Sequence, residues 1–205
     1  MKKLIEVKDL SVKYSSKKTV FLEMKNHISA VENVSFTFFE GEVLGIVGES
    51  GSGKSTVARC LLNIIKNVDS TSIVNGSISY KDKELLSLKA NELKEIRKIV
   101  QGIFQDPDSS LNEIYTAGEI VEEPLKYLTN YSKPERGKLA KEMFVKCGLN
   151  ENDTNKYPNE FSAGQKQRIC AARALLTKPE ILIADEPLSS LDISIQAQIF
   201  NLLLD

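Results

Sequence analysis

A short apolar run, VLGIV at 43–47, leads directly into GESGSGKST at 48–56, and no other junction constrains the fold as tightly. Gly48, Gly53, Lys54 and Ser55 match the pattern G-x-x-x-x-G-K-[ST]. The apolar run, entered from a turn at Glu40-Gly41, suits a strand buried on both faces. From Lys54 onward, Val57, Leu61, Leu62, Ile64 and Ile65 recur at helical spacing. In a strand–loop–helix of this kind the glycines let backbone N–H groups turn inward, and the positive end of the helix faces an anion. Gly48, Glu49, Ser50, Gly51, Ser52, Gly53, Lys54, Ser55 and Thr56 are therefore expected to cradle the phosphates of ATP, with Lys54 at the β- and γ-phosphates and Ser55 on Mg²⁺. The plain alternative is a flexible Gly/Ser turn, and both flanks argue against it.

Elsewhere the hydrophobic period changes along the chain. Ile5, Val7, Leu10, Val12 and Tyr14 alternate as in one or two half-buried strands, and 30–38 alternates again. A strand is expected at 77–80, a charged helix from about 85 to 98, and an apolar step at 99–104. Residues 116–176 read as mostly helical, with breaks at Ser132-Lys133-Pro134, Gly148 and Tyr157-Pro158, before a second buried strand at 181–184. An amphipathic helix through Ile195, Ile199 and Leu203 is expected to carry the chain to Asp205.

A chain of 205 residues that is 41% hydrophobic can bury a core within one domain. The net charge is -1 and there is no basic block, so nothing points to nucleic acid or lipid as an electrostatic partner. Cys60, Cys147 and Cys170 are scattered and form no CxxC pair, which fits a reducing cytosol. No run approaches the ~20 apolar residues of a membrane helix, so any membrane role is expected to pass through a partner.

Two further segments carry chemistry. In ILIADE, an apolar strand ends in two carboxylates: Asp185 is suited to a magnesium shell and Glu186 to polarising a water, although a solvated strand end would look the same in isolation. These two motifs fit small-molecule kinases, helicases and GTPases equally well. In NEFSAGQKQRICAARALL (159–176), a polar glycine loop stands directly before a helix capped by Ser162. It reads either as an ordinary capped helix or as a second phosphate-seeking terminus, used for the γ-phosphate of another subunit.

FSAGQ, followed by KQR and AARALL at its spacing from ILIADEP, resembles the signature of the ATP-binding cassette (ABC) ATPases, and the resemblance runs from Tyr14 to the end. FQDPDSSLN (104–112) resembles that family's glutamine loop, which implies that Gln105 touches Mg²⁺ and the attacking water and senses a membrane partner. SSLD (189–192) resembles the loop that sends Asp192 across a dimer interface, and Tyr14 stands where the family stacks an aromatic on adenine. A plain strand aromatic is the alternative for Tyr14, and a turn residue for Gln105. The details look most like the ATPases of oligopeptide, dipeptide and nickel importers. Departures are Ala163 for the second signature glycine, Phe161 for leucine, and Glu113 where proline is usual.

The resemblance implies an α/β P-loop NTPase of the ABC ATPase type, one domain over 1–205 with an antiparallel β subdomain and an inserted helical subdomain at about 106–176. It implies a head-to-tail dimer with an identical or homologous cassette, in which Ser162, Gly164 and Gln165 grip the partner's ATP. Closure would drive permease subunits at the cytoplasmic face of the membrane. The alternatives are an ATP-binding module with little turnover, or a soluble ABC ATPase not tied to transport. The family also carries a switch histidine beyond the acid pair. The only histidine here, His27, precedes the phosphate loop and reads as a solvated loop residue, so a truncated chain that binds MgATP but turns over slowly is expected.

Overall fold

The computed structural model describes residues 2–15, 27–65, 69–187, 196, 197, 200 and 201. The chain divides into two compact units, Met1–Leu93 and Lys94–Asp205.

In the first unit, β1 (Lys3–Ser15) pairs antiparallel with β2 (His27–Phe39), matching Val7 to Phe36 and Tyr14 to Ile28. Ile5 and Val7 alternate on the buried face of β1, and Leu10 and Val12 resume the alternation after a register shift where Asp9 takes φ 52°. Helix α1 (Lys54–Leu61) follows, then β3 (Ile73–Tyr80) and a two-residue β4 (Lys83–Glu84), giving a sheet in the order β2-β1-β3-β4. Lys81 and Asp82 both take positive φ in the two-residue turn between β3 and β4, as a tight hairpin demands. Helix α2 (Ala90–Ile99) starts later than the periodicity suggests, because the Leu85 amide bonds back to Ile78 O of β3 and residues 85–87 form a bend and turn.

Three expectations are corrected in this unit. The run 43–47 joins no strand among the described residues, and Val43, Leu44, Ile46 and Val47 are exposed, Val47 at 95%. Apolar composition signals a tendency to be buried, but a strand also needs a neighbour to complete its ladder, and no described strand supplies one. His27 is not a loop residue: it opens β2, opposite Ser15. Helix α1 ends at Leu61, short of Ile64 and Ile65, where Asn63 turns left-handed (φ 52°) and its side-chain amide donates to the Leu85 carbonyl at 2.7 Å.

The second unit is organised by a parallel pair, β5 (Val100–Ile103) and β6 (Ile181–Ala184), with Ile103 opposite Ala184. Between them run a one-turn α3 (Pro107–Ser110), then α4 (Ala117–Leu128), α5 (Lys133–Lys146) and α6 (Ala163–Leu175). Capping boxes fix the starts: Thr116 with Glu119 for α4, Ser132 with Glu135 for α5. Those bonds hold the Glu119 and Glu135 carboxyls below their usual range, through the Thr116 amide for the first and the Ser132 hydroxyl for the second. Phe144, Ile120 and Ile169 anchor the core, and Phe161 meets Phe144 edge to face with ring centroids 6.4 Å apart. β6 is only partly covered, not buried on both faces as expected. Asp192 and nearly all of the terminal helix lie outside the described residues.

All three cysteines are buried and unpaired. Burial pushes the Cys60 thiol up to about 11 and that of Cys147 to about 12, and raises that of Cys170. Ellman's reagent at about pH 8 is expected to label none of the three promptly in the folded chain and all of them in denaturant. Prompt labelling of the native chain would contradict this packing.

Candidate functional site

The phosphate loop ends on a helix that no side chain caps. Gly53 is the N-cap of α1, with φ 94° and no side-chain cap bond, so this helix start is not closed by a cap of its own. Within the loop the Lys54 ammonium donates to the carbonyls of Gly48 at 2.8 Å and Glu49 at 2.7 Å, closing the loop on itself. Gly51 also takes a positive φ, 80°. Gly53 has a second reason to be glycine that sequence alone did not supply: a Cβ there would strike the Ala30 carbonyl of β2 and come within 3.1 Å of Val31 Cγ2. The Tyr14 hydroxyl lies 3.4 Å from the Thr56 hydroxyl, tying the end of β1 to the first turn of α1.

In the second unit the parallel pairing does the positioning. Two parallel strands in register end side by side, and ligands of α/β sheets gather at such carboxyl ends. The Asp185 amide extends the ladder by donating to Ile103 O at 2.9 Å. Just beyond, Gln105 Nε2 donates to Glu186 Oε2 at 2.8 Å, so two side chains 81 positions apart are in contact at the strand ends. Glu186 is left-handed (φ 49°), a turn that points its carbonyl toward α6, where Gln167 Nε2 lies at 3.4 Å. Gln167 is 1% exposed and was not singled out from sequence. The signal was its spacing with Cys170, Ala171 and Ala174, which places it on the buried face of α6.

Ser162 caps α6 reciprocally with Gln165: its hydroxyl accepts from the Gln165 amide at 3.3 Å, and Gln165 Oε1 accepts from the Ser162 amide at 2.9 Å. Ala163 is exposed at the first turn and Gly164 is half-buried beside it. Ahead of this helix, Asp106 caps α3, and its carboxyl is held below the usual carboxylate range first by the Ser109 hydroxyl. Glu113 is exposed. Among the described residues no group of three or more His, Cys, Asp or Glu could hold a metal, and no helix is long and apolar enough to cross a membrane.

Residues 31–189 match the family described as ABC transporter. The chain belongs to the ABC transporter family. The oligopeptide transport ATP-binding protein OppF of Salmonella typhimurium is 46% identical over 205 residues, covering 98% of this chain and 60% of that protein. The dipeptide transport ATP-binding protein DppF of Lactococcus lactis is 43% identical over 206 residues, covering 100% of this chain and 62% of the relative. The chain thus spans about 60% of the length of these curated relatives. Among solved structures, the ATP-binding cassette MJ0796, as a post-hydrolysis dimer bound to ADP and Pi, superposes with TM-score 0.81 at 34% identity, covering 98% of this chain and 81% of that one. The α/β fold with an antiparallel sheet is that of the ABC cassettes.

Gly53→Ala is expected to lower the urea midpoint of the chain without nucleotide, by the left-handed penalty of about 1–2 kcal/mol plus the clash with Ala30. An unchanged midpoint would mean that this glycine serves only the nucleotide.

Proposed function

We propose that this chain is the ATP-binding and hydrolysing part of an importer for peptides or a similar small solute. The observation that carries the reading is the contact between Gln105 and Glu186 at the adjoining ends of β5 and β6, in a chain 46% identical to an oligopeptide transport ATP-binding protein. Both units form one nucleotide-binding domain over 1–205, with 106–176 as its helical subdomain.

The roles follow from the chemistry of each group. The first-turn amides of α1 and the Lys54 ammonium bind the β- and γ-phosphates, the ammonium exchanging the carbonyls of Gly48 and Glu49 for phosphate oxygens. Tyr14 stacks on the adenine. Ser55, Gln105 and Asp185 would each offer a side-chain oxygen to Mg²⁺, a hard cation, and the ion when bound would neutralise charge on the phosphates. Glu186 accepts a proton from a water that Gln105 helps orient. The water oxygen bonds to the γ-phosphorus as the bond from that phosphorus to the β–γ bridging oxygen breaks, releasing ADP and phosphate.

Ser162, Gly164 and Gln165 serve the γ-phosphate of a second cassette, identical or homologous, and Asp192 crosses to it. The dimer closes on ATP, moves permease subunits at the cytoplasmic face of the membrane, and reopens after hydrolysis. Glu186 favours turnover over a silent binding module, since binding alone requires no base.

Lys54→Ala is expected to weaken MgATP binding roughly 10- to 100-fold by calorimetry, the loss of a charge-assisted hydrogen bond of about 1.5–3 kcal/mol. Unchanged affinity would reject the phosphate-loop assignment.

A further inference from the structure

Gln105 faces Glu186, yet only one of its flanks is fixed by the sheet. Before it lies β5; after it comes α3, a single helical turn with little stability of its own. That turn is wound tightly around Asp106, whose carboxylate accepts from the Asp108 amide at 3.0 Å and whose carbonyl accepts from the Ser110 hydroxyl at 2.7 Å. Its outward hold is on α6. The Lys166 ammonium pairs with the Asp108 carboxylate, and Arg173 Nη1 donates to the Ser110 carbonyl at 2.7 Å. The Lys166 side chain is 16% exposed and that of Asp108 63%, so the ammonium is held against the protein while the carboxylate stays open to solvent. The next residue of α6, Gln167, reaches the backbone of Glu186. One helix, starting at the Ser162 cap, therefore touches the supports of both partners: Lys166 the segment after Gln105, Gln167 the turn carrying Glu186.

We propose that Lys166, through Asp108, is a positioning residue that sets Gln105 against Glu186. Its importance for turnover rests on the proposed ATPase reading; its effect on Gln105 does not. The physical content is register. Without the pair, α3 keeps its own cap and the Arg173 bond at its far end but loses the hold on α6 nearer Gln105, and Gln105 samples positions away from the carboxylate. Chemistry then slows while nucleotide binding, which this pair does not touch, is kept.

The test uses Lys166→Met, which preserves the aliphatic stem, Asp108→Asn, and the exchanged pair Asp108→Lys with Lys166→Glu. Side-chain amide NMR of the chain without nucleotide, with the Gln105 resonance assigned by its loss in Gln105→Asn, reads the contact directly. The resonance is expected to move in Glu186→Gln, and to move toward the solvent-exposed amide position in Lys166→Met and Asp108→Asn, with melting temperatures near that of the parent. Steady-state phosphate release should show kcat reduced roughly 5- to 20-fold with KM within about twofold in both single variants, and the exchanged pair should recover most of the loss. A Gln105 resonance unmoved in both single variants, a KM that rises with kcat unchanged, or an exchanged pair no better than the singles would each overturn the proposal. Should Lys166→Met fail to fold, Asp108→Asn at its exposed position decides the same points. A parent that binds no MgATP, or whose turnover ignores Glu186→Gln, would defeat the ATPase reading while the NMR arm still decides the positioning.

Discussion

Parallel pairing of β5 with β6 is the constraint on which the chemistry of the second unit depends. Because the strands run the same way and in register, residues more than seventy positions apart leave the sheet at the same level. Asp185 extends the ladder by one bond, and the left-handed turn at Glu186 follows at once. An antiparallel pairing would send the glutamine loop and the acid pair to opposite ends of the sheet. A shift of one residue would turn Gln101 through Ile103 onto the wrong faces. The helices between the strands are the crossover that parallel pairing requires, and their core around Phe144 and Ile169 holds α6 where its side chains reach the strand ends.

Helix termini supply the other recurring device. Three starts in the second unit, at Thr116, Ser132 and Ser162, are closed by reciprocal caps in which a side chain answers the orphan amides. The start of α1 is different, since Gly53 offers no side chain and the amides stay open. That contrast is what an anion site needs: a terminus already satisfied by its own cap has less to offer a phosphate. The start at Ser162 is closed in the same way, with Gln165 already bonded back to it. If that start serves a partner's γ-phosphate as proposed, a bond within the chain is exchanged for one to the ligand.

What the sequence disclosed and what it hid divide by range. The phosphate loop was legible because its chemistry is local: glycines, a lysine and a helix start within nine residues. The cap at Ser162, the breaks at 132–134, Gly148 and 157–158, and the strands at 77–80 and 181–184 were legible for the same reason. The residues 43–47 were misread because apolar periodicity reports a preference for burial and says nothing of a ladder partner. The β3–β4 turn carries Lys81-Asp82, lacking the usual glycine, so the hairpin was missed and the helix after it was begun too early. Gln167 and Lys166 read as two polar residues in a charged stretch. Only the fold shows that one is buried under Glu186 and that the other meets Asp108 across 58 positions.

The central claim is that the chain works as a cassette that closes on ATP with a second cassette, its hydrolysis depending on Glu186. Light scattering of the Glu186→Gln variant, with and without MgATP, tests this most directly. Removing the base should leave binding intact and stall the closed state, so the account predicts a monomer without nucleotide and twice that mass with MgATP. The Lys54→Ala change added to the same chain should abolish that increase. A variant that binds MgATP yet stays monomeric at every concentration, alone and mixed with a homologous cassette, would contradict it.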